Sequence, residues 1–146
     1  MDKKYVVIVQ CHIVHERCPG YFCERSFHFR EGAFKDLPAD NGIRMLSLTC
    51  GGCCGRAVQR KLSLLLRKIE QKEGVTRDQV QVRLASCISK DNYHGPCCPH
   101  LDYLKDIIGR LKLDVALDTV ISRKSEERRQ AGCYAAPKSA PAPSPF

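Results

Sequence analysis

The stretch Ile43-Arg44-Met45-Leu46-Ser47-Leu48-Thr49 runs directly into Cys50-Gly51-Gly52-Cys53-Cys54-Gly55 and then into a long amphipathic segment. The first part reads as an extended strand, and the glycines break it. In residues 54–72 the side chains Val58, Leu62, Leu65, Leu66 and Ile69 recur at spacings of four, three, one and three, which lays one apolar stripe along a helix. Gly74 then supplies the helix stop. Strand, glycine-rich turn and helix in succession make half of a β-α-β unit, so the fold depends on what lies on either side.

Upstream, residues 4–10 are apolar and β-branched and read as a first strand ending at Cys11-His12. Residues 22–37 are expected to be helical, with Pro38 as the stop. Downstream, Val80, Val82 and Leu84 alternate, so residues 79–86 read as a third strand ending at Cys87. A loop holding His94, Cys97, Cys98 and His100 leads into a helix striped by Leu101, Leu104, Ile108 and Leu111, and residues 114–121 read as a fourth strand. Alternating strands and helices imply a parallel sheet with right-handed crossovers. The expected fold is therefore α/β: a single three-layer domain over residues 1–125, with a four-stranded parallel sheet in the flavodoxin-like order 2-1-3-4. Residues 126–146 are basic, then rich in Pro, Ala and Ser, and are expected to form a disordered tail.

Composition narrows the function. A chain of 146 residues can bury a core of its own, and 43% hydrophobic with 27% charged residues is ordinary for a globular domain. The apolar run Tyr5-Val6-Val7-Ile8-Val9 is too short for an export signal or a membrane span, so the expected location is the cytoplasm. The ten cysteines then need a reason other than disulfide staples, and in a reducing compartment that reason is metal binding or thiol chemistry. The net charge of +8 invites a nucleic-acid reading, but the cations are dispersed and there is no Trp to offer a stacking platform. No membrane partner and no nucleic acid is expected; the expected partner is a metal ion.

The cysteines fall in a pattern. Cys11, Cys50 and Cys87 each lie just past a strand, all at the same end of the sheet, where α/β proteins bind ligands. In the order 2-1-3 these strands are neighbours, about 4.8 Å apart. Sulfurs around a tetrahedral zinc, with bonds of about 2.3 Å, lie about 3.7 Å apart. Cys50 and Cys53 form a C-x2-C pair whose sulfurs can reach one ion, and Cys53 sits at a helix start that favours a thiolate. Cys98 and His100 can complete a site from the last loop. The expected ligands are therefore drawn from Cys11, Cys50, Cys53, Cys87, Cys98 and His100, with zinc the expected ion and an iron–sulfur cluster the alternative. Within that group, Cys50, Cys53, Cys87 and Cys98 make the first-choice set, while Cys23, Cys54 and Cys133 read as incidental.

Thr49-Cys50-Gly51-Gly52-Cys53, with Gly55-Arg56 after it, resembles the signature of the CGGC domain family. So do Cys18-Pro19-Gly20, Gly32-Ala33-Phe34, Leu84-Ala85-Ser86-Cys87-Ile88 and Cys98-Pro99-His100, in that order along the chain. The resemblance implies zinc binding without implying a reaction, and it picks out Cys11, Cys18, Cys50, Cys53, Cys87, Cys98 and His100. Cys54 stands where the family usually has proline, and Ile121 follows Thr119-Val120 where relatives often have Thr-His.

Two enzymatic readings compete with a metal site. Cys50 to Arg56 fits C-x5-R, the loop of low-molecular-weight phosphatases and some arsenate reductases, in which backbone N–H groups and an arginine cradle an oxyanion. Against it, Ala57 replaces their usual Ser or Thr, the motif follows the second strand rather than the first, and no Asp-Pro pair offers a general acid. The C-x2-C at a helix start also suits thiol–disulfide exchange, although such pairs rarely need cysteines converging from other segments.

Overall fold

The structure is a computed structural model, and it describes residues 3–39, 42–52, 55–90, 92, 97–120 and 123–131. Four strands, β1 (Tyr5–Gln10), β2 (Arg44–Thr49), β3 (Val80–Leu84) and β4 (Asp114–Leu117), form one sheet in the order β2-β1-β3-β4. Every pairing is parallel: Gln10 stands opposite Thr49, Val9 opposite Leu84, and Leu84 opposite Leu117. The expected α/β class and the order 2-1-3-4 are both observed.

The helices cover both faces. On one face, α2 (Arg56–Glu73) and α4 (Leu101–Arg110) pack Val58, Leu62, Leu66, Ile69, Leu104 and Ile108 onto the side chains of Val7, Val9, Val82 and Leu84. On the other, α1 (Tyr21–Phe29) and the turn after it bring Phe27 and Phe34 onto Val6 and Ile8. The split follows from the strand order. β2 and β3 flank β1 on opposite sides, so right-handed crossovers place α1 and α2 on opposite faces. β1 is buried along its whole length, as a central parallel strand must be.

Several boundaries differ from the sequence expectation. The helix expected over 22–37 ends at Phe29, because Arg30 adopts the left-handed conformation at φ 55°, and only a short 3-10 turn, Gly32–Phe34, follows. The strand expected over 114–121 ends at Leu117, because Asp118 turns out of line at φ 72°. The third strand begins at Val80 and stops at Leu84, since Ser86–Ser89 form a single helical turn, α3. A helix, α5 (Arg123–Gln130), runs across residue 126, the expected start of the tail; residues 132–146 lie outside the described residues.

β3 carries one buried cation. Arg83 is 8% exposed on the α1 face and lies 4.9 Å from the Phe34 ring. Its guanidinium donates to the carbonyls of Leu117 (2.8 Å) and Asp118 (3.2 Å), holding the carboxyl end of β4 where the ladder has run out. Burial lowers its pKa from the usual arginine range. Among the described residues no helix is long and apolar enough to cross a membrane.

Candidate metal centre

Strand register brings two thiols together. The β1–β2 ladder continues one step past the strands, with the Cys50 N–H donating to the Gln10 carbonyl at 2.9 Å, so Cys11 and Cys50 stand side by side. Alternation then sets the face. Val7 and Val9 point toward α2 and α4, as do Leu46 and Leu48, and two residues further on Cys11 and Cys50 point the same way. Both side chains line the same cavity.

The two cysteines shift each other in opposite directions. Cys11 is held down at about 5 by Cys50, and then by the N–H of Val14, the Asn92 amide and the N–H of Ile13, in spite of its burial. Asn92 Nδ2 lies 3.4 Å from the Cys11 sulfur. Cys50 is pushed up, first by Cys11 and then by burial, although the N–H groups of His12 (3.4 Å) and Gly52 act the other way. Cys50 and the surrounding N–H groups thus favour the charged form of Cys11.

Cys87, the third strand-end cysteine, is placed differently. Helix α3 begins at Ser86, so Cys87 falls out of phase with Val82 and Leu84 and packs at the sheet's end against both core clusters. Its sulfur accepts the backbone N–H of Cys11 at 3.2 Å, and burial pushes its thiol up to about 12. Asn92 ties the two segments by donating also to the Cys87 carbonyl at 2.7 Å.

The Cys98 loop closes over the pair. The Cys98 N–H donates to the Ile88 carbonyl at 2.7 Å, docking the loop on α3. The Cys98 sulfur accepts the His100 N–H at 3.4 Å, and the His100 carbonyl opens α4 by accepting from Leu104. A cavity of about 150 Å³ results, and Cys11, Cys50, Cys98 and His100 all line it. Cys87 is not among its lining residues. Among the described residues, no three His, Cys, Asp or Glu side chains as they stand are close enough together to hold an ion. Cys53 lies outside the described residues, as do Cys54, His94 and Cys133.

Two glycines shape the wall that carries Cys50. Gly51 has φ 75°, and a Cβ there would lie 2.3 Å from that of Ala57. Gly55 has φ 68°, and a Cβ there would press on Tyr103, Leu104 and Ile107 at 3.2 Å. Only glycine permits both the left-handed backbone and the close approach of α2 to α4.

Arg56 does not face the thiols. It lines a separate groove of about 540 Å³ between α2 and α4, with Arg60, Tyr103 and Arg110, and is not part of the thiol cavity's lining. The C-x5-R spacing is therefore present without the arginine–cysteine cradle that phosphatase chemistry needs. Cys18 and Cys97 are exposed, and Cys23 is engaged with Thr119 Oγ1 at 3.2 Å on the α1 side. Asn92, the side chain that joins Cys11 to Cys87, was not among the residues expected from sequence, and nothing in its Lys-Asp-Asn-Tyr context signals it.

No curated protein and no solved structure matches the chain significantly. The sequence profile of the CGGC domain matches residues 5–119, which span β1 to the end of β4 and include every cysteine and histidine of the cavity. With its signature loop forming one wall of that cavity, the chain belongs to the CGGC domain family.

Proposed function

We propose that this domain binds a metal ion, with zinc as the ion best suited, at the cavity on the carboxyl edge of its sheet. The observation that carries the proposal is the Cys11–Cys50 pair, whose side chains stand on neighbouring strand ends and open onto a cavity also lined by Cys98 and His100. These residues suit the ion chemically. Sulfur and imidazole are zinc's preferred donors, metal binding requires deprotonated thiols, and Cys11 is already held toward its thiolate. Cys11, Cys50 and Cys98 would hold the ion once their side chains draw together from where they stand, with His100 or Cys53 completing the set. When bound, a closed four-coordinate zinc supplies no reaction of its own and cross-links the three strand-end loops.

The protein's own residues have supporting roles. Asn92 orients Cys11 and ties it to α3. Cys87 stands behind the pair and does not line the cavity, which makes it the worst placed of the strand-end cysteines to ligate. The N–H groups of His12 and Gly52 stabilise negative charge on Cys50.

The test is purification without added metal, under anaerobic conditions, followed by assay of zinc, iron and sulfide per chain. A colourless protein with about one zinc per chain is expected. Cys11→Ser/Cys50→Ser should lose that zinc. Brown protein with sulfide would replace zinc by an iron–sulfur cluster. Reduced, folded, metal-free protein that takes up no added zinc would overturn the reading.

A further inference from the structure

We infer that Cys11 and Cys50 form a redox modification site: a small hydroperoxide entering the cavity converts this pair, and no other, to an intramolecular disulfide. The inference uses the pair's geometry alone and stands whether or not a metal is ever bound.

Three observations carry it. The two residues occupy matching positions one step beyond paired strands, and neighbouring strands are about 4.8 Å apart, inside the Cα separation of about 4.4–6.8 Å that a disulfide spans. The two side chains point to the same face from neighbouring strand ends, so no change of register or of alternation is needed to bring their sulfurs together. Both thiols line the same cavity, which gives a small oxidant a route to a cysteine that is otherwise only 8% exposed. Cys87 also lies beside Cys11, but its sulfur meets the Cys11 backbone N–H rather than the cavity. That geometry makes it a hydrogen-bond acceptor, not an exchange partner.

The chemistry balances with hydrogen peroxide as oxidant. One cysteine sulfur attacks a peroxide oxygen, the O–O bond breaks, and one water leaves, giving a sulfenic acid. The neighbouring sulfur attacks the sulfenic sulfur, the S–O bond breaks, and the hydroxyl departs as a second water with the second thiol's proton. The two sulfurs are together oxidised by two electrons, and the peroxide is reduced to two waters. The disulfide removes two soft donors from the cavity, so oxidation and metal binding become mutually exclusive.

The test uses the full chain, reduced and treated with chelator, then exposed to one equivalent of hydrogen peroxide. Remaining thiols are blocked and the protein is digested with trypsin. Cleavage after Lys4, Arg17, Arg44 and Arg56 isolates Cys11 in peptide 5–17 and Cys50 in peptide 45–56. The expected product is a disulfide joining these two peptides, with fragmentation placing the bond on Cys50. It should persist in Cys53→Ser/Cys54→Ser. Linkage of 5–17 to the Cys87 peptide, 84–90, would overturn the inference, as would a Cys50–Cys53 bond or peroxide leaving both thiols intact. If the double variant does not fold, the fragmentation of the wild-type product decides alone. Failure to bind zinc leaves this outcome unaffected, so the two readings fail separately.

Discussion

The backbone N–H of Cys11 donates to Cys87 Sγ at 3.2 Å, while the Cys11 side chain lines, with Cys50, a cavity that Cys87 does not reach. Three cysteines that look equivalent along the chain thus divide into a pair that opens on the cavity and a third that lies behind it. The division has consequences for acidity, for packing and for the effect of substitutions.

Reactivity should separate these thiols. In reduced, metal-free protein, iodoacetamide should modify Cys11 at a rate that rises through about pH 5 and then levels off, while Cys87, pushed to about 12, stays unmodified at neutral pH. Cys50→Ala removes the largest cause of the Cys11 shift and should move that profile toward the ordinary value of 9.0. Peptide mapping of alkylation against pH reads both. Equal labelling of Cys11 and Cys87 would contradict the geometry.

The strand-end thiols should make stability greatest near about pH 9 and lower on either side. Cys11 has a depressed pKa in the folded state, so its contribution is complete above its unfolded value near 9.0 and is lost as pH falls through about 5. Cys87 is raised, so its contribution is complete below 9.0 and is lost as pH climbs toward about 12. Cys50, also raised, acts in the same direction as Cys87. Urea midpoints of the metal-free protein should therefore fall as pH drops from about 9 to about 5, and fall again as pH climbs above about 9. The alkaline loss should shrink in Cys87→Ala relative to that variant's own neutral value.

Asn92→Ala should destabilise the fold by about 1–2 kcal/mol, because it removes donors to the Cys11 sulfur and the Cys87 carbonyl. It should also raise the pH at which Cys11 becomes reactive, since the amide is one of the groups that stabilise the thiolate. Denaturant titration and the alkylation profile measure the two effects independently.

Gly51→Ala should cost at least about 1–2 kcal/mol, from a left-handed backbone and a new Cβ 2.3 Å from that of Ala57. Because Gly51 follows Cys50 directly, zinc retention should fall as well. Chelator competition, run beside thermal unfolding, would show whether the loop's shape matters to the cavity or only to the fold.

Arg83→Ala serves as a contrast. It removes a buried guanidinium that holds the Leu117 and Asp118 carbonyls and covers Phe34, so a loss of about 2–4 kcal/mol is expected. The residue lies on the α1 face, away from the thiol cavity, so metal content per folded chain should not change. Metal loss without loss of stability would reverse the assignment of the two faces.

Local pattern alone determined the architecture of this protein. Val80, Val82 and Leu84 alternate, and the stripe of Val58, Leu62, Leu66 and Ile69 repeats at helical spacing, because period and burial are short-range properties of the chain. The same pattern made Cys11 and Cys50 neighbours, since a strand's end follows from where its apolar run stops. Tertiary structure alone decided the rest. Arg30 and Asp118, neither of them glycine, take left-handed conformations that shorten a helix and a strand, and nothing local announces them. The turn beginning at Ser86 rotates Cys87 out of the alternation, and Asn92 reaches Cys11 across 81 positions of sequence. Arg56 lies in the right place for a phosphate loop but faces the α4 groove. Sequence spacing sets which residues come near one another; the direction in which a side chain points depends on loop dihedrals and packing that only the folded chain supplies.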